Sequence, residues 1–466
     1  MMIRRPISCA LALTLAGCPG SSTKDAGKSD AKTPAKTDGK LADAKRPGPD
    51  TKTDAKTDAK ADAKTDAKAD TPTPPEPPPG PPPEVSAEAQ KAVANSINAF
   101  AVDLHKTLGA SPGNLFVSPA SIVVAFAMTH AGAKGETASE LAKVFHFGES
   151  ADLHAGMGGM LARWDAASGG LELDVANRLF GEKSVTFEPA YLELGQKVFG
   201  APLEPVDFVN GFEPARVHIN DWVSTKTKEK IKDLIPEGGV TADTRMVLVN
   251  AIYFKAKWAE PFDEFQSQEG KFHGSAGDET VKFMNKTEHF RLGAAPEAKA
   301  RVLELGYDGG GYSMVIVLPD DAKGLAAAEA ALTPEALTKW IDGATSSARV
   351  ALTMPRFRIE PGEPLRLRTT LETLGLHVPF DASKADFTGM APASAQLVIS
   401  DAYHKAFIAV DEAGTEAAAA TAVSMRAGSA APTDEPVPFV MDHPFLFLVR
   451  DTTSGAILFM GRLVDP

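Results

Sequence analysis

Cysteine is nearly absent from this chain: among 466 residues there are two, Cys9 and Cys18, both close to the N-terminus. The rest of the chain has no thiol, which excludes disulfides, cysteine-ligated metals and cysteine-protease chemistry from it. Basic residues are outnumbered, since 48 Lys and Arg against 61 Asp and Glu give a formal net charge of −13. This acidic balance argues against nucleic acid as a partner.

Motifs that bind nucleotides or metals, or that carry catalytic nucleophiles, are also missing. There is no Walker loop, no paired-glycine dinucleotide fingerprint, no HExxH and no GxSxG. Three adjacent glycines in GYDGGGYSM, residues 306–314, lack the lysine that a phosphate loop needs, and they stand between two strand-like runs. We interpret them as a hairpin turn. No cofactor, no metal and no enzymatic activity are expected.

Residues 1–17 have the pattern of a secretory signal peptide. Arg4 and Arg5 precede an apolar run that is too short to span a bilayer stably and that ends in Leu-Ala-Gly-Cys. This ending resembles the bacterial lipobox, so Cys18 is the predicted lipidation site and membrane anchor. Pro19 follows where an inner-membrane retention signal would have Asp. We expect export to the bacterial envelope, at the outer membrane, or to the outside; a plain secretory signal is the alternative to the lipobox.

Residues 18–85 contain almost no large apolar side chains. A repeated Lys/Asp/Ala unit is followed by the proline-rich run TPTPPEPPPGPPPE. Such a composition cannot bury enough surface to offset its ordering entropy. We therefore predict a disordered tether with a stiffer polyproline section, which separates a folded domain, residues 86–466, from a membrane.

Helix and strand patterns begin at Ser86 and continue to the last residue. SAEAQKAVANSINAFAVDLHKTL has helical spacing behind Ser86 as N-cap, and SPASIVVAFAMTHAGA begins a second helix at Ser118. TASELAKVFHF and VHINDWVSTKTKEKIKDLI are two further predicted helices. Strand patterns follow in RMVLVNAIYFKAKW, YSMVIVLP, RVALTMPRFRI, QLVISDAYHKAFIAV, HPFLFLVRD and AILFMGRLV. The combination predicts an α+β domain.

The segment DEAGTEAAAATAVSM, residues 411–425, carries conflicting signals. Alanine is the best helix former, so local propensity predicts a helix. The segment nevertheless follows a strand-like run and precedes AGSAAPTDEPVP, a loop-like run rich in Pro, Gly and Ser. An alanine-rich linker or surface helix is one interpretation.

Several motifs together resemble those of the serpin family. They are NLFVSPASI at 114–122, LVNAIYFKAKW at 248–258, DEAGTEAAAATA, and DHPFLFLVRD…GAILFMGRLVDP at the C-terminus. They stand in serpin order and at serpin spacing across residues 86–466. The resemblance implies a large central β-sheet, two smaller sheets, about nine helices and an exposed reactive-centre loop.

The resemblance also implies a function: suicide inhibition of serine, or alternatively cysteine, endopeptidases. In inhibitory serpins the target protease cleaves the reactive loop and forms an acyl-enzyme, and the cleaved loop inserts into the central sheet as a new strand. The expected partner is a target protease in a covalent complex with a monomeric inhibitor. By motif, the loop's hinge comprises Glu412, Gly414, Thr415, Glu416, Ala417, Ala418, Ala419 and Ala420.

Small hinge residues fit this mechanism. Thr415, Ala417, Ala419 and Thr421 would face inward and Glu416 outward, so insertion would bury neither bulk nor an unpaired charge. A non-inhibitory serpin that acts as a binding or carrier module is the alternative function, and its hinge would tolerate charged or bulky inward residues.

The position of the reactive bond follows from the family's spacing. The seventeenth residue, counting Glu412 as the first, is Gly428, which places the bond between Gly428 and Ser429. Small residues there indicate an elastase- or subtilisin-like target. Arg426, as the anchor for a trypsin-like enzyme, and Ala427 are alternatives.

A cluster beneath the point where the sheet opens is also implied by the resemblance. Trp258 matches the tryptophan where the loop first enters the sheet, and the expected role of the cluster is to hold the sheet ready to part. We interpret His404, a lone histidine on a strand-like run, as a buried hydrogen-bonding residue and not as a ligand or base. The other cluster positions are Asn114, Ser118, Ser121 and Asn250.

Overall fold

A computed structural model of the chain describes residues 7–17, 86–148, 150–166, 171–415 and 435–466. These residues belong to one compact unit. The predicted tether, and the reactive loop beyond Thr415, lie outside the described residues. The tether therefore stays a prediction.

Nine α-helices lie within these ranges, the number that the resemblance implies. The first two begin where the sequence predicts: the Ala89 N–H donates to Ser86 Oγ over 3.1 Å, and the Ser121 N–H donates to Ser118 Oγ over 3.1 Å. The helices are α1 Ala87–Gly109, α2 Pro119–Ala131, α3 Gly135–Val144, α4 Ser150–Asp165, α5 Pro189–Phe199, α6 Phe208–Lys226, α7 Leu325–Ala331, α8 Pro334–Gly343 and α9 Arg368–Thr373.

The predicted extent of the fourth sequence helix was wrong at both ends. It was expected to run through KEKIKDLI, but α6 ends at Lys226 because Lys228, Glu229 and Asp233 adopt positive φ angles. It also begins earlier than expected, at Phe208.

The described strands form two sheets. Sheet A has eight strands: β1 Ile7–Gly17, β3 Leu171–Glu182, β4 Leu203–Val206, β5 Thr244–Lys257, β11 Phe357–Ile359, β12 Leu365–Arg366, β13 Leu397–Asp411 and β14 Gly414–Thr415. Sheet B has nine: β2 Leu115–Val117, β6 Gln268–Gly274, β7 Gly277–Ala295, β8 Ala300–Gly306, β9 Tyr312–Pro319, β10 Ser346–Pro355, β15 Val437–Val440, β16 Phe445–Asp451 and β17 Ile457–Leu463.

Sheet B stands where two smaller sheets were expected. The 19-residue strand β7 pairs with β6 and β10 along its first part and with β8 at its end. This long strand joins the two smaller sheets into one hydrogen-bonded network. The glycine run makes the predicted hairpin turn, since β8 pairs with β9 up to Gly306 and Ser313.

Sheet A positions the candidate site. Its order is β13, then β1 and β14, then β5, β3 and β4, so that β1 and β14 both lie between β13 and β5. One face packs in the main core with α2, and the other face packs against α6 through residues that include Val247 and Val249. Because both faces are covered, β5 is buried almost throughout.

The strand β1 is a departure from expectation. It consists of Ile7–Gly17, which the sequence marks as part of a secretory signal, and it pairs antiparallel with both β13 and β5. Leu13 and Thr14 within it are fully buried.

Candidate functional site: the loop hinge and the opening point of sheet A

The hinge has already turned into sheet A. After β13 the chain turns at Glu412 and Ala413 and returns as β14, the residues Gly414 and Thr415. Thr415 is opposite Val410 on one side and Ala256 on the other. The first two residues of an inserting strand are therefore seated between β13 and β5.

Gly414 is required here by its surroundings. Its φ of +151° lies in a region that residues with side chains rarely adopt. A Cβ atom at this position would overlap the carbonyl oxygen of Ala256 and would come within 2.7 Å of the Lys257 Cα atom. The predicted hinge glycine thus allows the chain to approach β5 closely.

Thr415 is anchored below the hinge by an aromatic pair. Its side chain is fully buried, and its Oγ1 lies 2.6 Å from the Tyr307 hydroxyl. The ring of Trp258 stacks on Tyr307 with centroids 4.8 Å apart, and Trp258 Nε1 donates to the Asp411 carbonyl over 3.0 Å. Trp258 lies at the point where the loop enters the sheet, as its motif suggests.

Glu412 fixes the turn through three residues from two distant segments. Its carboxylate is almost fully buried, accepts a hydrogen bond from Ser267 Oγ over 2.6 Å, and forms an ion pair with Arg356 Nη2 at 2.5 Å. The Phe262 N–H donates to its carbonyl over 2.8 Å. Burial disfavours the charged carboxylate, but the bonds from Arg356 and Ser267 outweigh it and lower the pKa of Glu412 below its ordinary value.

Four of the predicted cluster residues form one hydrogen-bonded network under sheet A. The Ser118 N–H donates to His404 Nε2 over 3.1 Å, and Ser118 Oγ donates to the Leu458 carbonyl over 2.7 Å. Ser121 Oγ donates to Asn250 Oδ1. The network links α2, β5, β13 and β17, so it ties together the two strands that flank β1.

His404 is fully buried in this network. Burial disfavours the imidazolium and lowers the pKa of His404 to about 3. The ring is neutral at physiological pH and accepts a backbone hydrogen bond, which agrees with the interpretation of a buried hydrogen-bonding histidine.

Asn114 does not join the cluster, contrary to expectation. It precedes β2 and binds the C-terminal segment instead: Oδ1 accepts from the Val464 N–H over 2.7 Å and from the Asp465 N–H over 3.1 Å. The reason is its position in the chain, four residues before Ser118 and on the far side of β2, which pairs with β17.

The remaining hinge and loop predictions fall outside the described residues. These are the hinge positions Glu416, Ala417, Ala418, Ala419 and Ala420, and the reactive-bond candidates Arg426, Ala427, Gly428 and Ser429. The described residues contain no cluster of His, Cys, Asp and Glu suited to a metal ion. Among the helices in the described part of the chain, none is both long and apolar enough to cross a membrane.

Comparison with known proteins decides the family. A family model described as Serpin (serine protease inhibitor) matches residues 95–466. The chain belongs to the serpin family. It is accordingly a member of a family of protease inhibitors and is not an enzyme.

Individual serpins resemble the chain over their whole length. Leukocyte elastase inhibitor A from Mus musculus is 41% identical over 385 residues, which are 81% of this chain and 100% of that protein. Uncleaved ovalbumin superimposes with a TM-score of 0.71 at 28% identity, covering 80% of this chain and 100% of ovalbumin. Serpin48 from the insect Tenebrio molitor gives a TM-score of 0.70 at 30% identity, with 80% of this serpin and 98% of Serpin48 covered.

Four residues at this site were not found from the sequence. Arg356 and Ser267 hold Glu412, Tyr307 holds Thr415, and Asn177 Oδ1 accepts from Asn250 Nδ2 over 2.6 Å. Each lies far from its partner in the chain, so no local pattern marks it. Of these four residues, only Tyr307 lies next to a recognisable sequence motif, the glycine turn that follows it.

Proposed function

We propose that this serpin traps an elastase- or subtilisin-like serine endopeptidase by inserting its cleaved reactive loop between β5 and β13. The observation that supports this most strongly is the seating of Gly414 and Thr415 between those two strands. The hinge is already in the register that a longer inserted strand would continue.

The proposed chemistry is supplied by the protease. Its catalytic serine attacks the carbonyl carbon of Gly428, and the amine of Ser429 leaves with the proton that the protease donates. The acyl-enzyme ester then tethers the protease to the free end of the loop. Insertion of that loop carries the protease away before water can hydrolyse the ester.

The energetics favour insertion. Each net hydrogen bond of the new strand contributes about 0.5–1.5 kcal/mol, and a strand between two neighbours forms such bonds along both edges. Small residues on the inward face, Ala417 and Ala419, add no bulk that would overpack the layer beneath an inserted strand. A non-inhibitory carrier remains the second candidate, but neither of these inward residues is bulky or charged.

The target class rests on the loop and on relatives. Ala427 and Gly428 are small, which suggests an elastase- or subtilisin-like enzyme, although glycine before the bond fills no specificity pocket. The mouse protein described above is named as an inhibitor of leukocyte elastase. Arg426 would instead suit a trypsin-like enzyme but would give a shorter inserted arm.

We also propose that the serpin is an exported bacterial lipoprotein. The support is the lipobox-like ending before Cys18 and the tether composition of residues 18–85. In this proposal the acylated Cys18 anchors the inhibitor to the envelope, at the outer membrane, and the tether holds it away from the lipid. Metabolic labelling with a fatty acid, lost in Cys18→Ser, is the test.

Incubation of residues 18–466 with a panel of serine proteases tests the inhibitory function. An elastase- or subtilisin-like enzyme should give an SDS-stable complex and release a C-terminal peptide that begins at Ser429, identified by mass spectrometry. Thr415→Arg should yield only cleaved inhibitor, because insertion would bury an unpaired charge. Clean cleavage of the native hinge by every protease in the panel would favour the carrier.

A further inference from the structure

The gap that a cleaved loop needs is occupied by another part of this chain. On one side β1 pairs with β13 from Ser8, opposite Phe407, to Gly17, opposite Leu397. On the other side it pairs with β5 from Ile7 to Ala16. Both edges are antiparallel, which is also the orientation of β14 against the same two strands.

The register of β1 continues that of β14. Along β5, Thr415 lies opposite Ala256, and Ile7 lies opposite Phe254, two residues further on. Ile7 therefore stands where Ala417 would stand in an inserted loop.

The opposite edge of β1 gives the same register. Along β13, Thr415 lies opposite Val410, and Ser8 lies opposite Phe407, three residues further on. Ser8 therefore stands where Ala418 would stand. Both edges place residues 7–14 in the positions that loop residues 417–424 would take.

The chemistry of the segment suits a buried strand. Residues 7–17, ISCALALTLAG, contain no charge, so the segment can be buried without an unpaired ion. Leu13 is fully buried in the main core, at the position of Val423. Thr14 is fully buried as well, with its Oγ1 2.6 Å from Ser400 Oγ, and the Ser400 hydroxyl lies 3.1 Å from the Thr14 carbonyl oxygen, which it can donate to instead.

We propose that residues 7–17 are an intramolecular occupant of the insertion gap, which keeps the unprocessed chain non-inhibitory until the segment is removed. This inference rests on the proposed loop-insertion function. With the gap filled, the cleaved loop stops at Thr415, and water hydrolyses the acyl-enzyme to a loop carboxylate and free protease. Cleavage before Cys18 makes the segment a separate peptide, and its dissociation empties the gap and activates the inhibitor.

Substitutions within the full chain test the occupancy. Leu13→Asp places a charge in the core and should expel β1, whereas Arg5→Asp places the same charge just before the strand and is the matched control. With an elastase-like protease, Leu13→Asp should give at least about tenfold more SDS-stable complex than the native full chain, because the competent fraction rises. Arg5→Asp should behave as the native full chain does.

A second arm supplies the segment in trans. Residues 18–466 retain the whole of the family match, which begins at residue 95. This chain should form the complex, and a synthetic peptide of residues 7–17 should suppress it. The same peptide with Leu13→Asp should have no effect.

The outcomes separate the two proposals. If the full chain forms the complex as readily as residues 18–466, the occupancy is overturned and the inhibitory function stands. If neither chain forms a complex, the inhibitory function fails, and thermal unfolding decides the occupancy alone. Occupancy requires the native full chain to unfold on the order of 10 °C above both Leu13→Asp and residues 18–466; equal unfolding temperatures overturn it.

Discussion

Gly414 lies where β14 passes closest to β5, and a side chain there has no space. We expect Gly414→Ala to lower the free energy of unfolding by about 1–3 kcal/mol, through the positive φ and the overlap with the Ala256 carbonyl. Gly113→Ala is the matched control, because Gly113 has a φ of +96° but no neighbour within 4 Å of a Cβ atom. Urea unfolding measures the free energy of unfolding of both variants. Equal decreases would show that the close approach to β5 does not contribute to the cost of Gly414→Ala.

His404 makes the stability of the opening cluster depend on pH. In the unfolded chain it titrates near its ordinary value of 6.5, whereas burial lowers its pKa in the folded chain to about 3. The unfolded state therefore binds the extra proton first, and stability falls as pH drops from 6.5 toward 3.

Replacement of His404 tests this dependence. The titration of His404 should lower the free energy of unfolding of the native chain by about 2 kcal/mol between pH 7.5 and pH 5. His404→Gln keeps an acceptor for the Ser118 N–H but cannot titrate. The free energy of unfolding of this variant should therefore fall by about 2 kcal/mol less over the same pH range. The two pH profiles, measured by urea unfolding, would be parallel if His404 were accessible to protons in the folded chain.

At the scale of elements, the alternation of inward and outward side chains along the loop must match the buried and accessible faces of sheet A. Thr415 is buried on the core face, so in a strand that continued β14 Ala417 would fall on the same face, opposite Phe254. Glu416 would fall on the other face, beside Lys255, which is only half-buried. A strand that continues β14 therefore buries odd-numbered loop residues and leaves its one hinge charge accessible.

This alternation predicts opposite results for adjacent substitutions. In residues 18–466, Ala417→Glu should abolish the SDS-stable complex and leave the chain as a substrate, because a charge enters the core. Glu416→Ala should leave complex formation nearly unchanged. Gel analysis of the complex and the cleaved product measures both, and equal behaviour of the two variants would mean that the loop does not follow the register of β14.

The sequence predicted four of the nine described helices and six strand-like runs, which correspond to β5, β9, β10 with β11, β13, β16 and β17. It left one hinge segment ambiguous. Runs such as β5 and β13 were recognised as strands by their length, alternation or β-branched content. Alanine content at 411–425 favoured a helix, yet Gly414 and Thr415 pair with strands on both sides. Tertiary pairing overrides local propensity here.

At the scale of the whole molecule, the pairing of distant strands could not be predicted from sequence periodicity. The strands β5 and β13 flank the same gap although about 140 residues separate them, and Arg356 reaches Glu412 from a third segment. The motifs of the family implied the arrangement that periodicity alone could not. Neither the family motifs nor periodicity indicated that Ile7–Gly17 would lie in that gap. The apolar composition of this segment matches an export segment equally well.

Loop insertion itself is tested most directly by the unfolding temperature of residues 18–466 before and after an elastase-like protease cuts the reactive loop. An inserted loop adds hydrogen bonds along β5 and β13, so the cut molecule should unfold on the order of 10 °C or more above the intact one. A cut molecule that unfolds at the same temperature or lower would contradict the mechanism.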